Sequence, residues 1–538
     1  MFSREEIRTM PAAEKAAWYG FALLLAATVY VLFTFGNAGD KEISLVSARM
    51  LLQGKKLYRD IFTVQLPPIY YLYAVPVYIS DRIGLLRDFQ WLNLIGLAAI
   101  VWSAWAATAL VARHPEFASG RMQRQHFLLA LIVFITCSGA YYFFDREHMF
   151  LVLTFPYVMR FTPSLASKQY APGFRLSLGV AAAIGFCVKP HCLIVFGAVQ
   201  LLYFFQQRSA AILFSLENGA IYFLTGLYVT FVVYGNPDYV HIVLPMALAT
   251  YDAANSRTAG MFFLAICLLI FAVTFVDFRL RYTSPYRRDI YYLLGVSAGF
   301  LGYALINNGW GYTYNPLACT LLVVTGWVGW EYLYLRREHA ARELPVQSFV
   351  FGARACALNL AANALCVTLG ALMTVLLGCR AHLQCDQTGR EVLQSVSRAR
   401  SFGTISLDFG IWARLVDETG IHWDTRFNQL WMLPKFFVSD AALAQKNRWI
   451  LRYVADSFAD DLNTRKPPVV FVDEANSFYS VRVHMDLLGL LYPFQNFREA
   501  WSHYRLDHSI CPVKKPPLTS VKTVAEKACV YYVYDRIE

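Results

Sequence analysis

The feature that most restricts this chain is a succession of apolar runs, several of which reach the ~20 residues a helix needs to cross a bilayer. They read as eleven spans, at about 18–36, 90–112, 127–144, 149–166, 176–188, 191–206, 211–234, 260–278, 289–306, 316–334 and 355–377. Composition agrees: 57% of the 538 residues are hydrophobic and only 16% are charged, against roughly 25% charged in ordinary soluble domains. A soluble domain could not cover that much apolar surface, so a wholly soluble enzyme, a disordered chain and a coiled coil are excluded. The run from Trp18 to Gly36 is too long for a signal-peptide core, and no small-residue cleavage site follows it. It is expected to be a retained first span.

The net charge of +11 would suggest nucleic acid in a soluble protein. Here the basic residues of the short segments between apolar runs fall almost all on one side, which is the pattern that sets membrane orientation. With the N-terminus in the cytoplasm, the inner segments carry eighteen Lys and Arg, and the short outer loops only Arg146, Lys189 and Arg257. The same bias resolves two ambiguous stretches. Leu66 to Ser80 is apolar but short and holds Pro67, Pro68 and Pro76, so it is read as interfacial or re-entrant. Residues 176–206 are read as two short helices turning at Lys189-Pro190-His191, where proline suits a break.

This parity gives a membrane α-helical bundle, residues 1–378, with a long first outer loop at 37–89 that carries interfacial helices. It also places residues 379–538 outside as a small C-terminal α/β domain. Within that tail Thr404–Leu407, Pro468–Asp473 and Cys529–Tyr534 read as strands. Ser439-Asp440 reads as the cap of a helix running to about Asp461, with Leu443, Ile450, Leu451, Val454 and Phe458 on one face. Of eleven cysteines, Cys379, Cys385, Cys511 and Cys529 lie in this part and would form two disulfides in an oxidising space. Sequence alone leaves their connectivity open.

Ionisable residues that face the outer side carry the chemistry. In GDKEISLVSARMLLQGKKLYRDIFTVQLPP (39–68), Asp40 and Glu42 follow the first span closely, at the membrane surface. Ile43, Val46, Met50 and Leu51 recur at helical spacing, and Lys55, Lys56 and Arg59 come next. A carboxylate can take a proton from an acceptor hydroxyl, and cations can stabilise a departing phosphate. Between the third and fourth runs, YYFFDREHMFLVL places Asp145, Arg146, Glu147 and His148 with almost no loop to keep them in water. Charges at such depth usually point into a polar cavity, although a tight turn pairing its own charges is the alternative. Lys189 can bind phosphate as a point charge or snorkel to the surface. Trp310, Tyr312 and Tyr314 of the late loop can stack on sugar rings or line an interface. No metal-ligand spacing is present; a divalent cation is compatible with this many outer acids, but nothing demands one.

The order of these features resembles the GT-C glycosyltransferases, polytopic enzymes that use polyprenyl-phosphate sugars. The matching features are G-D-x-E at 39–42 with ARMLLQGKKLYRDIF and QLPP, the acidic DREH at the outer end of the third span, the Lys189-Pro190 turn and a late aromatic loop. The resemblance runs over about residues 18–334 and looks closest to bacterial relatives of protein O-mannosyltransferases and of the lipid A aminoarabinose transferase. It implies a GT-C bundle in a bacterial inner membrane, with Asp40 as catalytic base. Asp145 and Glu147 would form a second acidic site for acceptor or base, and Arg59 and Lys189 would meet the donor phosphate. By their own chemistry and position, Glu42, His148, Trp310 and Tyr312 are further candidates for the substrate and Arg146 for the phosphate. The chain departs from such relatives in having Asn308 and Tyr314 where they often carry Lys or His.

The expectation is therefore an inverting transfer of sugar from a polyprenyl-phosphate donor to a hydroxyl of a glycan, lipid or protein on the outer side. The rival reading is a lipid-linked saccharide flippase. Inverted repeats with ionisable residues at mid-membrane depth would favour it, and no repeat relates the two halves.

Overall fold

The computed structural model describes residues 12–34, 40–113, 120–137, 142–254, 287–306, 311–324, 326, 387–473, 481, 483–511 and 530–537. The expected spans 260–278 and 355–377, residues 325 and 327–334 of the expected span 316–334, Trp310, Cys379, Cys385 and Cys529 lie outside the described residues. Two compact units emerge. The first comprises Met1–Thr34, Gln90–Val229 and Arg257–Gly378; the second comprises Phe35–Phe89, Thr230–Ser256 and Cys379–Glu538.

The first unit is helical. Apolar runs fold into Ala12–Thr34, Gly120–Cys137, Arg146–Arg160, Pro172–Val188, Leu193–Gln207, Leu216–Thr230 and Arg287–Ile306. Among the described residues, three helices are long and apolar enough to cross a membrane: Asp88–Val111, Leu216–Gly235 and Arg288–Ile306. Close packing of Arg146–Arg160 on Pro172–Val188 is allowed by glycine. A Cβ on Gly185 would sit 2.8 Å from Thr154 Cγ2; Gly179 does the same for the helix Leu216–Thr230, where a Cβ would lie 2.5 Å from the Glu217 carbonyl oxygen. The helices Pro172–Val188 and Leu193–Gln207 are separated at Lys189, which is extended (φ −148°, ψ 124°), and by a 3-10 turn at Pro190–Cys192. A buried ion triad ties three elements together. Glu217, fully buried, accepts from Arg175 at 2.9 and 2.8 Å and from Arg160 at 3.2 Å.

The second unit is built on a five-stranded sheet of β1 (Ser401–Ile405), β2 (His422–Trp423), β3 (Val469–Asp473), β4 (Tyr504–Ile510) and β5 (Tyr531–Arg536), ordered β2-β1-β3-β5-β4. The β1/β2 and β1/β3 pairs are parallel, whereas β5 runs antiparallel to β3 and β4. Phe402, Trp412, Phe471 and Tyr531 form its aromatic core. The strand expected from Thr404 begins earlier, at Ser401, and the last expected strand begins at Tyr531. The helix expected over 440–461 is two: Asp440 caps Ala441–Lys446 by accepting from the Leu443 N–H at 2.7 Å, and after Asn447 a second helix runs Arg448–Thr464. Asn447, off helical geometry at ψ 10°, makes the break. Cys511 is disulfide-bonded.

Segments far away in sequence complete this unit. Phe62 pairs with Phe427 as a β-bridge, with its N–H donating to the Arg426 carbonyl at 2.7 Å. Arg465 reaches Asp60 at 3.0 Å and Asn428 donates to Ser47 Oγ at 2.9 Å. The helix Asp40–Leu52 differs from a half-exposed interfacial helix, because Lys41 to Ala48 and Met50 are all buried. The physical reason is cover from two sides, by the helix Pro67–Ile83 and the helix Gly410–Thr419. Pro67–Ile83 starts with its two prolines in the first turn, where their missing N–H groups cost nothing. It buries Ile69, Tyr70, Tyr73 and Val77 and exposes Tyr71, Val75 and Tyr78, an apolar face of the kind that lies in a membrane interface.

Candidate active site

The candidate residues fall in both units. In the first, the residues of DREH open the helix Arg146–Arg160. Asp145 is its cap: Oδ1 accepts from the His148 N–H at 2.9 Å, and His148 Nδ1 accepts from the Phe144 N–H at 2.9 Å. Phe144 takes up a left-handed backbone (φ 53°) to make this turn, which costs a non-glycine residue roughly 1–3 kcal/mol. Asp145 and His148 thus build the helix start and fix how Glu147 is presented.

Glu147 is buried, with one carboxylate oxygen shared by two donors: Lys189 Nζ at 2.5 Å and the Tyr303 hydroxyl at 3.1 Å. The Lys189 ammonium also lies 5.6 Å from the centre of the Tyr312 ring, within range of a cation–π attraction. The extended backbone at Lys189 therefore has a chemical counterpart. A break between two apolar helices places a cation against a buried acid and an aromatic face. Arg146 follows the cap and is half-buried.

In the second unit, Asp40 is the first residue of its helix and half-buried, and its carbonyl accepts from Ser44 Oγ at 2.6 Å. Acids in a first helical turn are favoured by the exposed N–H groups there. Glu42 is buried (6% exposed), and its Oε2 lies 4.0 Å from Arg414 Nε. Burial pushes the Glu42 carboxyl well above the usual range, and the Arg414 charge is the largest force holding it down. Arg59 is exposed and paired with Asp238 at 2.6 Å, so any phosphate it meets must compete with that carboxylate. Just before it, buried Tyr58 has φ 68°, closing a tight loop through its N–H to the Ile61 carbonyl at 2.8 Å. His241 is exposed in the π-helical turn Tyr239–Val243. A cavity of about 300 Å³ is lined by Arg49, Lys55, Asp417, His422 and Trp423 among others. Among the described residues no group of three or more His, Cys, Asp or Glu side chains is arranged to hold a metal ion.

Two participants were not expected. Tyr303 sits in an apolar run, and its hydroxyl there signals a need for a polar partner; that signal was readable. Arg414 lies 372 residues from Glu42, and no local pattern connects them.

No family model matches the chain, and no curated protein is similar to it in sequence. Solved structures are similar to it. ArnT from Cupriavidus metallidurans, solved in the apo state and bound to undecaprenyl phosphate, aligns over 97% and 96% of this chain and 98% of its own length. The TM-score is 0.55 in both cases, with 13% and 12% identity. The chain has the fold of ArnT. At this identity the likeness is one of fold alone.

Proposed function

We propose that this protein is an inverting GT-C-type glycosyltransferase of a bacterial inner membrane, which moves a sugar from a polyprenyl-phosphate donor to an acceptor hydroxyl on the outer side. A fold hosts many activities, so the argument rests on the groups it carries. The observation that carries it is the buried Glu147–Lys189 pair with Tyr303 and Tyr312, set at a break between apolar helices. Charges so placed in a membrane protein mark a substrate site by default. An ammonium has three N–H donors, so Lys189 can keep Glu147 neutralised and still donate to a phosphate oxygen. The ArnT structure bound to undecaprenyl phosphate supports the same donor class.

In this reading Asp40 accepts the proton of the acceptor hydroxyl as its oxygen attacks the anomeric carbon. The bond from that carbon to the phosphate oxygen breaks on the opposite face, so the configuration inverts and polyprenyl phosphate leaves with the electron pair. Glu42, Asp145, Glu147, His148, Trp310 and Tyr312 are assigned to the sugar and acceptor, and Arg59, Arg146 and Lys189 to the phosphate. Eleven spans, a cytoplasmic N-terminus and an outer residue 379–538 domain complete the proposal, supported by the Lys and Arg bias.

The test is to incubate the purified protein in liposomes with radiolabelled polyprenyl-phosphate sugar and bacterial envelope, without ATP. Label is expected to appear on an envelope acceptor. Label that stays on the lipid and only changes leaflet would instead favour the flippase.

A further inference from the structure

We propose that Arg414, supplied by the C-terminal α/β part of the chain, is a positioning residue for the acidic start of the Asp40–Leu52 helix, where its guanidinium holds the buried Glu42 carboxylate in place two residues from Asp40. This deepens the glycosyltransferase reading above and rests on it.

The geometry has three parts. Glu42 is 6% exposed, and its Oε2 accepts no hydrogen bond among the described residues. Arg414 Nε, 4.0 Å away, is itself fixed by donating to the Gly410 carbonyl at 3.1 Å, so the guanidinium is tethered to its own helix. That helix, Gly410–Thr419, packs against Asp40–Leu52, and the Asn428–Ser47 hydrogen bond fastens the same helix further along. The acidic end therefore cannot shift without breaking contacts to the C-terminal part.

The surrounding charge makes Arg414 decisive. Asp417 and Glu418 from the same packed helix repel a Glu42 carboxylate, Lys41 on its own helix attracts it, and Arg414 outweighs each of these. From the segment leading into Pro67–Ile83 the neutral Gln65 accepts from Ser44 Oγ at 3.2 Å; Asp81 of that helix is paired with Arg49. An opposite charge within about 4–6 Å moves a carboxyl by roughly 1–3 pH units. Without Arg414, Glu42 would therefore keep its proton to still higher pH, and the helix start that carries Asp40 would lose the cation that faces it.

The experiment measures thermal stability in detergent from pH 4 to 9 for wild type, Arg414→Gln, Arg414→Lys and Glu42→Gln, with the Arg414→Gln/Glu42→Gln double variant. Glu42 has a raised folded value, so its share of stability is present at low pH and lost as pH rises through that value. Measured against Glu42→Gln, this loss is expected to move upward by about one pH unit or more in Arg414→Gln. In Arg414→Lys it should stay close to wild type, and in the double variant it should vanish. A loss in Arg414→Gln that superimposes on wild type overturns the proposal, as does a shift that persists in the double variant. Should Arg414→Gln not fold, Arg414→Lys must fold and keep the wild-type profile; a displaced profile overturns the proposal equally. Turnover with a polyprenyl-phosphate sugar is followed in parallel, and Arg414→Gln should lose kcat/KM with its acidic limb displaced upward while Arg414→Lys restores it. If wild type transfers no sugar at any pH, the glycosyltransferase reading fails, and the stability profiles alone decide the Arg414–Glu42 coupling.

Discussion

Replacing Lys189 by Met removes the ammonium but keeps an unbranched chain able to fill the same space. Glu147 then loses its direct ion pair and keeps the Tyr303 hydroxyl at 3.1 Å, a backbone N–H and the more distant Arg146 charge, in a position 2% exposed. Breaking a buried ion pair from one side costs about 3–5 kcal/mol, because a charge stays behind without its partner. That is a large share of the roughly 5–15 kcal/mol that holds a protein folded. Lys189→Met should therefore melt well below wild type in detergent. Adding Glu147→Gln should recover most of the loss, since an amide needs no counter-charge. The shift in melting produced by polyprenyl phosphate should be absent from both the single and the double variant, which separates the phosphate role of Lys189 from its structural one. A Lys189→Met protein as stable as wild type, or one that Glu147→Gln fails to rescue, refutes the reasoning.

Asp40→Asn keeps size and removes the base, so turnover should fall by roughly 10²–10⁴ with melting unchanged, while Glu42→Gln, assayed beside it, should retain more activity. A cytoplasm-specific reporter fused after Glu538 should be silent and a periplasm-specific one active, as the Lys and Arg bias requires. Asp417, whose carboxyl burial raises to about 6, favours the folded state at low pH. Relative to Asp417→Asn, wild type should therefore lose stability as pH rises from about 4 to about 6 and level off above it, read by melting across that range. Gly179→Ala puts a Cβ 2.5 Å from the Glu217 carbonyl oxygen and should destabilise by about 1–3 kcal/mol, measured in the same melting assay.

What the sequence disclosed was local. Apolar length showed the helices, Pro190 showed the break at Lys189, and crowded charges marked 145–148 as a place that needed partners. The partners themselves lie far away in sequence: Glu147 meets Lys189 across 42 residues and Tyr303 across 156. The Asp40–Leu52 helix looked one-sided because Ile43, Val46 and Met50 share a stripe. Its other face is covered by a helix more than 350 residues on, which no periodicity could announce. β4 escaped notice for another reason. As the sheet's edge strand, its middle residues Arg505 to His508 are exposed and mostly polar, so it lacks the apolar signature by which β3 was found.

The central claim is that sugar leaves polyprenyl phosphate on this protein. The most direct measurement is to quantify, in one reaction with purified protein and labelled donor, both the polyprenyl phosphate released and the sugar gained by the acceptor. The two should rise in equal amounts, with inverted anomeric configuration, and both should nearly vanish in Asp40→Asn. Donor that remains intact while it crosses the bilayer, with Asp40→Asn no different, would contradict the account.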